Sequence, residues 1–555
     1  MSEARPHGRV PVSVLWHTIR HLRVGQIVGR ISRRLPQPKP GIPRGLGVAP
    51  VAGDWVRPVE IAPLLVARNT ISIHGRERDI GTPDAWSATG AGRLWLYHLH
   101  YFDELSAPDD PSRAEWQNEL VNRWIRENPP WQGVGWDPYP TSLRAVNWIK
   151  WHLRGNRLSA RALESLAAQL SWLESRLEYH ILGNHIIENA KALCFGGCFF
   201  SGTEAGRWWD AGCRLLQREL NEQILADGGH FELSPMYHAR VLENVLDLIN
   251  LQRAYRRNTE VQLEDVAAGM LRWLSIMSHP DGRIALFGDS AFDQAADLEQ
   301  LAFYGERLGI ARPGDPDTPI HMLSSSGYCR ASVGRWTGLL DVAAIGPDYL
   351  PAHGHADALT FELSLDGERI VVDAGTETYE DCDERWNQRS TAAHNTVEID
   401  GESSSQVWKS FRVGRRARVE VLDVEAHAQY CRVVAQHDGY ARLSRGLLHR
   451  RAWEFEPDSL TLTDTILGDG RHDVAWRLLL HPSASVAAVD DGEFAIIRGG
   501  RRIARIAVDP AMVYAIEHAR YHPYFGSSVP TVRLTGRATV VLPFVVIARI
   551  FAEKA

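Results

Sequence analysis

The chain has 555 residues, enough for two or three domains with sizeable cores. Its hydrophobic and charged fractions, 44% and 23%, are those of an ordinary globular protein, and a formal net charge of −7 argues against a general nucleic-acid binder. The six cysteines are scattered and suggest no disulfide framework, and no apolar run is long enough to span a bilayer.

Arg5 to Arg34 carries seven arginines and no acid. Its apolar residues, among them Val12, Trp16, Ile19 and Val24, are interrupted by His17, Arg20, His21 and Arg23. It therefore does not read as a secretory signal, and the default expectation is a cytoplasmic protein, or a periplasmic or secreted one if a leader is missing. The segment fits either an amphipathic helix making peripheral contact with a membrane surface or a basic helix docked on the protein's own acidic surface. A Pro/Gly-rich linker, Leu35 to Pro50, follows, and residues 1–60 stand apart from the domains.

Residues 61–323 read as a helical domain. Leu163, Leu166, Leu170, Leu173 and Leu177 recur at spacings of three and four, as do Val241, Leu242, Val245, Leu246 and Ile249. Residues 324–555 read as an antiparallel β domain, with short β-branched and aromatic runs between Asp-Gly, Gly-Asp and Gly-Gly turns. Helices followed by strands predict two segregated domains of an α+β protein. The abundant tryptophan fits sugar-stacking surfaces and large helical cores alike.

Three segments carry candidate chemistry. In Gly183-Asn-His-Ile-Ile-Glu188, Asn184 reads as a helix N-cap, with His185 and Glu188 on one face. In Asp227 to His238, Ser234-Pro235 starts a helix and puts Tyr237 in its first turn, where the dipole and any nearby cation favour phenolate. Taken alone, these read equally as a polar helix face and a buried tyrosine. In the third, Pro351-Ala-His-Gly-His-Ala-Asp357 precedes a half-buried strand, with Leu359, Phe361, Leu363 and Leu365 alternating with Thr360, Glu362 and Ser364. Asp366-Gly367 is a hairpin turn. Pairing Leu365 with Glu368 sets Leu363 against Ile370 and Phe361 against Val372, and puts Asp373 at the open end where His355 enters. With His394 from Thr391 to Thr396, His355 and Asp373 make a set that suits zinc, the alternative being strand-end polar residues satisfied by hydrogen bonds.

The segments NHIIENAKAL, DGGHFELSPMYH, GHADALTFELSLDG, VVDAGT and STAAHNTV together resemble the heparinase II/III family of polysaccharide lyases. With the basic N-terminal segment and GVGWDPYPTSLR, the chain is most similar to the branch found with bacterial exopolysaccharide and capsule loci. The resemblance implies an N-terminal incomplete (α/α) toroid, a C-terminal antiparallel β-sandwich, and β-elimination on an acidic, uronate-containing polysaccharide in the cleft between them. It implies that Asn184 and His185 neutralise the uronate carboxylate and that Tyr237 is the acid, and also the base when proton and leaving group share a face. His353 is implied as the base for the opposite epimer, Glu188 as an orienting carboxylate, and Tyr379 as an additional acid-base or substrate-contacting group. His355, Asp373 and His394 are implied as ligands of a zinc ion that braces the loops presenting His353. Arg385, Arg389 and Arg412 could bind substrate carboxylate or sulfate, or be solvated surface arginines. Trp136, Tyr139, Trp148 and His238 are candidates for lining subsites, with core packing as the alternative.

Two other classes compete. A hydrolase on the same scaffold would use paired carboxylates drawn from Asp137, Asp227 and Glu232. A non-catalytic polysaccharide-binding or assembly protein would keep the fold alone.

Overall fold

The computed structural model describes residues 10–36 and 38–554, so Arg5 and Arg9 of the basic segment lie outside the described residues. The helical domain is built on three nearly wholly buried helices, Pro138–Leu153, Asn184–Phe199 and Pro235–Tyr255, with Pro111–Glu127, Ala160–Glu174, Thr203–Gln223, Leu263–Ile276 and Leu298–Arg307 packed outside them. The leucine periodicity explains the outer members. Leu166, Leu170 and Leu173 are buried on one face of Ala160–Glu174, which starts at Ser159, whose side chain accepts from Ala162 N. A small sheet, Leu65–Ala67, Thr70–Ile73 and Arg76–Asp79, is an unforeseen addition to this domain.

The inner helices are tied together by buried charge. Asp247 accepts from Lys150 (2.9 Å) and Lys191 (2.6 Å), Lys191 also reaches Asn244 Oδ1 (2.8 Å), and Asn244 Nδ2 donates to Glu188 (2.9 Å). Asp247 and the two lysines neutralise one another and Glu188 accepts from an amide, so each buried charge is paired or hydrogen-bonded, as a core requires.

The β domain opens with a five-stranded antiparallel meander, Ile320–Leu323, Tyr328–Val333, Trp336–Asp341, Phe361–Leu365 and Glu368–Val371. An eight-stranded sheet follows, in spatial order Val419–His427, Tyr430–His437, Leu448–Glu456, Ser459–Leu467, Phe544–Ala552, Arg501–Val508, Glu493–Arg498 and Ser485–Asp490. A four-stranded sheet runs Val513–Tyr521, Val529–Val541, Arg471–Leu479 and Val397–Ile399. One hydrophobic core, including Phe361, Trp453, Phe455, Leu462, Trp476 and Ile550, draws on all three sheets, as a sandwich requires.

The Asp366-Gly367 hairpin forms with both turn residues at positive φ (52° and 84°) and Leu365 opposite Glu368. A register shift between Leu363 and Ser364 then pairs Leu363 with Val371 in place of Ile370. The strand is also buried on both faces, where alternation predicts one. Its polar face meets the helical domain: His279 contacts Ser364 Oγ and Glu362 Oε2 (both 2.8 Å), and Arg369 reaches Glu362 (3.0 Å) and Asp281 (2.7 Å). Burial first, then Arg369, pulls His279 down to about 4, so a neutral ring donates to Glu362 and accepts from Ser364. Glu362→Ala would leave the buried Arg369 with Asp281 alone and remove the carboxylate that His279 meets across the domain junction. An apparent loss of about 3–5 kcal/mol is expected, read as a lower denaturant midpoint, with Glu362→Gln intermediate.

Candidate active site

A cavity of ≈ 700 Å³ opens where the two domains meet. Tyr97, Tyr139, Asn184, His185, Glu232, Tyr237 and Arg240 line it from the helical side, and His353, Tyr379, Phe411 and Arg412 from the β side.

The Asn184 helix starts differently from the sequence expectation. Gly183, at φ 62°, is the N-cap, and Asn184 is the first helical residue. Its amide is thereby released from capping: Asn184 N donates to Glu232 Oε1 (2.7 Å) and Nδ2 reaches Oε1 and Oε2 (3.0 and 3.1 Å). A Cβ at residue 183 would sit 2.1 Å from Glu232 Oε1, so glycine is needed for both its conformation and its size. The next residue, His185, stacks on Tyr139 at 4.2 Å and lies 3.2 Å from Glu178. Burial opposes its charge, but Glu178, helped by Glu232 and Glu188, outweighs burial and raises His185 above its ordinary value.

Ser234 caps the next helix as expected, accepting from Tyr237 N at 3.3 Å with Pro235 following. Tyr237 itself does not become a phenolate. Burial pushes it up, and Asp289 and Glu232 add to the shift, outweighing the Tyr379 hydroxyl 3.3 Å away and the Arg240 charge. It rests as a neutral phenol, stacked 3.9 Å from the His353 ring.

His353 is held from both sides. Nδ1 lies 2.9 Å from Asp289 Oδ2, and Nε2 lies 3.1 Å from Glu232 Oε2. Asp289, on the loop before helix Leu298–Arg307, is fully buried and also meets His355 Nε2 (2.9 Å) and both terminal nitrogens of Arg385. Burial raises the cost of its charge, but Arg385 and the two histidines hold it well below the usual carboxylate range. An anionic Asp289 makes His353 Nδ1 the donor and fixes the tautomer.

His355 and His394 come together with Asp357, each offering a ligand atom within 4.8 Å of the others. Asp373, expected as the third ligand, lies behind His394 with Oδ2 2.8 Å from Nδ1, because the shifted hairpin register and this contact turn it toward the imidazole. Among the described residues, His355 Nδ1 and His394 Nε2 are buried without a hydrogen-bond partner. Burial and neighbouring carboxylates push Asp357 and Asp341 above the usual carboxylate range, a strain that a cation would relieve. Each histidine thus has one nitrogen on a carboxylate and the other bare, an arrangement that fits a divalent metal such as zinc.

Several expected substrate contacts are instead internal. His238 is fully buried, stacked on Trp273 and bonded to Met270 O (2.9 Å). Trp136 and Trp148 pack around Trp124 in the helical core. Arg385 and Arg389 are fully buried, so neither the substrate-binding nor the solvated reading holds for them. Arg389 donates to the carbonyls of Gly354, Lys409 and Arg412, bracing the HGH loop. Glu188 is absorbed in the Asn244 contact and does not line the cavity. Of the hydrolase candidates, only Glu232 lines the cavity. Asp227 closes a turn onto Gly229 and Ser326, and Asp137 binds Tyr97 and Arg93. Asp289 and Arg240 went unrecognised, since nothing in the local pattern of Gly288-Asp289-Ser290 marks a residue whose partners lie up to 96 positions away.

Residues 147–305 match the heparinase II/III N-terminus family, and residues 315–549 the heparinase II/III-like C-terminal family. A heparin-sulfate lyase of Bacteroides stercoris is 24% identical over 70% of this chain, which spans 64% of that protein's length. The FtsZ-localized protein C of Caulobacter vibrioides is also 24% identical, over 89% of this chain and 88% of that protein. Among solved structures, a heparinase III has a TM-score of 0.66 at 19% identity, covering 83% of this chain and 76% of its own. A Streptomyces coelicolor chondroitin AC lyase has a TM-score of 0.54 at 11% identity, covering 99% of this chain and 81% of its own. The fold is therefore the helical toroid followed by the β-sandwich, and the chain belongs to the heparinase II/III family.

Proposed function

We propose that the chain is a polysaccharide lyase that cleaves an acidic, uronate-containing polysaccharide by β-elimination and leaves an unsaturated uronide end. The observation that carries this reading is the stack of the Tyr237 phenol on the His353 imidazole in a cavity wall that also presents Asn184 and His185. The proton on carbon 5 becomes removable only when the adjacent carboxylate is neutralised, and the Asn184 amide with a His185 made more basic by Glu178 would do this. Asn184 would exchange its Glu232 contact for the substrate carboxylate. His353, with its tautomer set by Asp289, would take the proton at Nε2 once Glu232 yields that position. Tyr237, protonated at rest, would donate to the leaving oxygen on carbon 4. For a uronate whose proton and leaving group share a face, Tyr237 would serve both steps. Tyr379, 3.3 Å away, would hold the phenol in line.

A zinc ion at His355, His394 and Asp357 would brace the loop that presents His353, supplying structure. Asp373 and Asp289 would orient the two imidazoles from behind. Outside the cavity, Val12, Trp16, Val24 and Ile31 are 58–82% exposed on basic helices, which supports peripheral contact with an anionic membrane surface. Among the described residues, no helix is long and apolar enough to cross a membrane.

The Caulobacter relative, similar along nearly its whole length, supports a second reading in which the fold serves localisation or assembly without chemistry.

Ultraviolet absorbance during incubation with a panel of uronate polysaccharides separates these readings. A rise is expected, and Tyr237→Phe should slow it by on the order of 10²-fold or more; no rise on any polymer favours the second reading. The His185 imidazole should titrate above its ordinary 6.5, and Glu178→Gln should lower that value in a histidine NMR titration. The ion pair's stabilisation is present below the unfolded value and lost as pH rises through the raised folded one. Metal analysis should find stoichiometric zinc in the wild type. His394→Ala should lose the metal and lower the melting temperature.

A further inference from the structure

The segment before the linker forms two short helices, Val12–Ile19 and Val24–Ser32, which precede both family-matched regions and lie against both domains. Gln26 is 1% exposed and splits its amide between Ile181 O of the helical domain (3.4 Å) and Tyr349 O of the β domain (3.2 Å). Arg23 pairs with Glu222 and lies 3.6 Å over the Tyr349 ring. Thr18 Oγ1 donates to Val413 O (3.0 Å) and accepts from Trp408 Nε1 (3.1 Å). These contacts pin the helices across one end of the cavity, where Thr18, Leu22, Gln26 and Arg30 form part of its wall.

Arg30 and Arg412 share that wall, and neither side chain has a hydrogen bond or ion pair among the described residues. Other arginines on the same cavity are paired, Arg93 with Asp137 and Arg416 with Asp348. Arg412 is exposed and Arg30 half-buried at the cleft surface, so both guanidiniums are open to an incoming anion, and their like charges disfavour one another until one binds. A planar fork with free donors matches a carboxylate or sulfate oxyanion.

We propose that Arg30 and Arg412 form an oxyanion-binding subsite at the end of the cleft closed by the N-terminal helices, holding a carboxylate or sulfate of the polysaccharide. The substrate class rests on the lyase reading; the anion site itself does not.

Calorimetric titration of the full-length protein tests it without requiring turnover. The probes are a hexasaccharide of alternating glucuronate and N-acetylglucosamine, its sulfated counterpart, and its carboxyl-reduced neutral form. Arg30→Ala and Arg412→Ala should each weaken anionic-ligand binding roughly tenfold and leave neutral-ligand binding unchanged, with Arg30→Lys intermediate. Equal losses on both anionic probes assign a carboxylate, and a loss on the sulfated probe alone assigns a sulfate. If the variants keep wild-type affinity for both anions, or the wild type binds neither, the subsite is overturned. If binding falls as expected while no polymer gives an absorbance rise, the subsite stands and the lyase reading fails.

Discussion

A single buried carboxylate, Asp289, joins the two halves of the molecule where the chemistry sits. It belongs to a loop of the helical domain, and its partners Arg385, His353 and His355 all belong to the β domain. An unpaired carboxylate in that position would be prohibitively costly, so the domains can close only with these cations and donors in place. The same contact fixes the His353 tautomer and turns His355 Nδ1 toward His394 and Asp357. Domain docking, candidate base and candidate metal cluster thus depend on one charge. The Glu362 network nearby repeats the device with His279 and Arg369.

The site divides into a rigid frame and a small reactive surface. Behind the cavity, Arg385, Arg389, Glu188 and His238 spend their polar groups on neighbouring protein atoms. In front, Tyr237, His353, Asn184 and His185 reach the space where a sugar would lie. Glu232 stands between these groups: it accepts from Asn184 and lies against His353 Nε2 at rest, and a substrate carboxylate would compete for the Asn184 amide. This bears on the hydrolase reading, since the one candidate carboxylate in the cavity is already committed to the amide and the imidazole.

The features legible in the sequence were those set by local periodicity and turn chemistry. The helical and β halves, the Ser234-Pro235 helix start and the Asp366-Gly367 turn follow from spacing and from conformational demands that a few adjacent residues meet. The resemblance placed Asn184, His185, Tyr237 and His353, and they converge on the cavity. What escaped was set by distant partners. The role of Asp289, the register slip that turns Asp373 behind His394, and the burial of Arg385 and Arg389 all depend on the second domain. The phenolate expectation for Tyr237 failed for a related reason, because a helix dipole is a weaker influence than the loss of water around a phenol enclosed by both domains. Docking of the basic segment on the protein's own surface was one of its two readings, and Arg23 pairs with Glu222 accordingly, but nothing in the sequence showed that these helices cross the end of the cleft.

The most direct test of the central claim is mass spectrometry of the products of polysaccharide cleavage carried out in heavy-oxygen water. Elimination takes up no water, so the account predicts unlabelled products in which the new non-reducing end is an unsaturated uronide, one water lighter than a saturated end. Saturated fragments carrying the heavy oxygen at the new reducing end would mean hydrolysis, and would contradict the assignment of Tyr237 and His353 to proton transfer in an elimination.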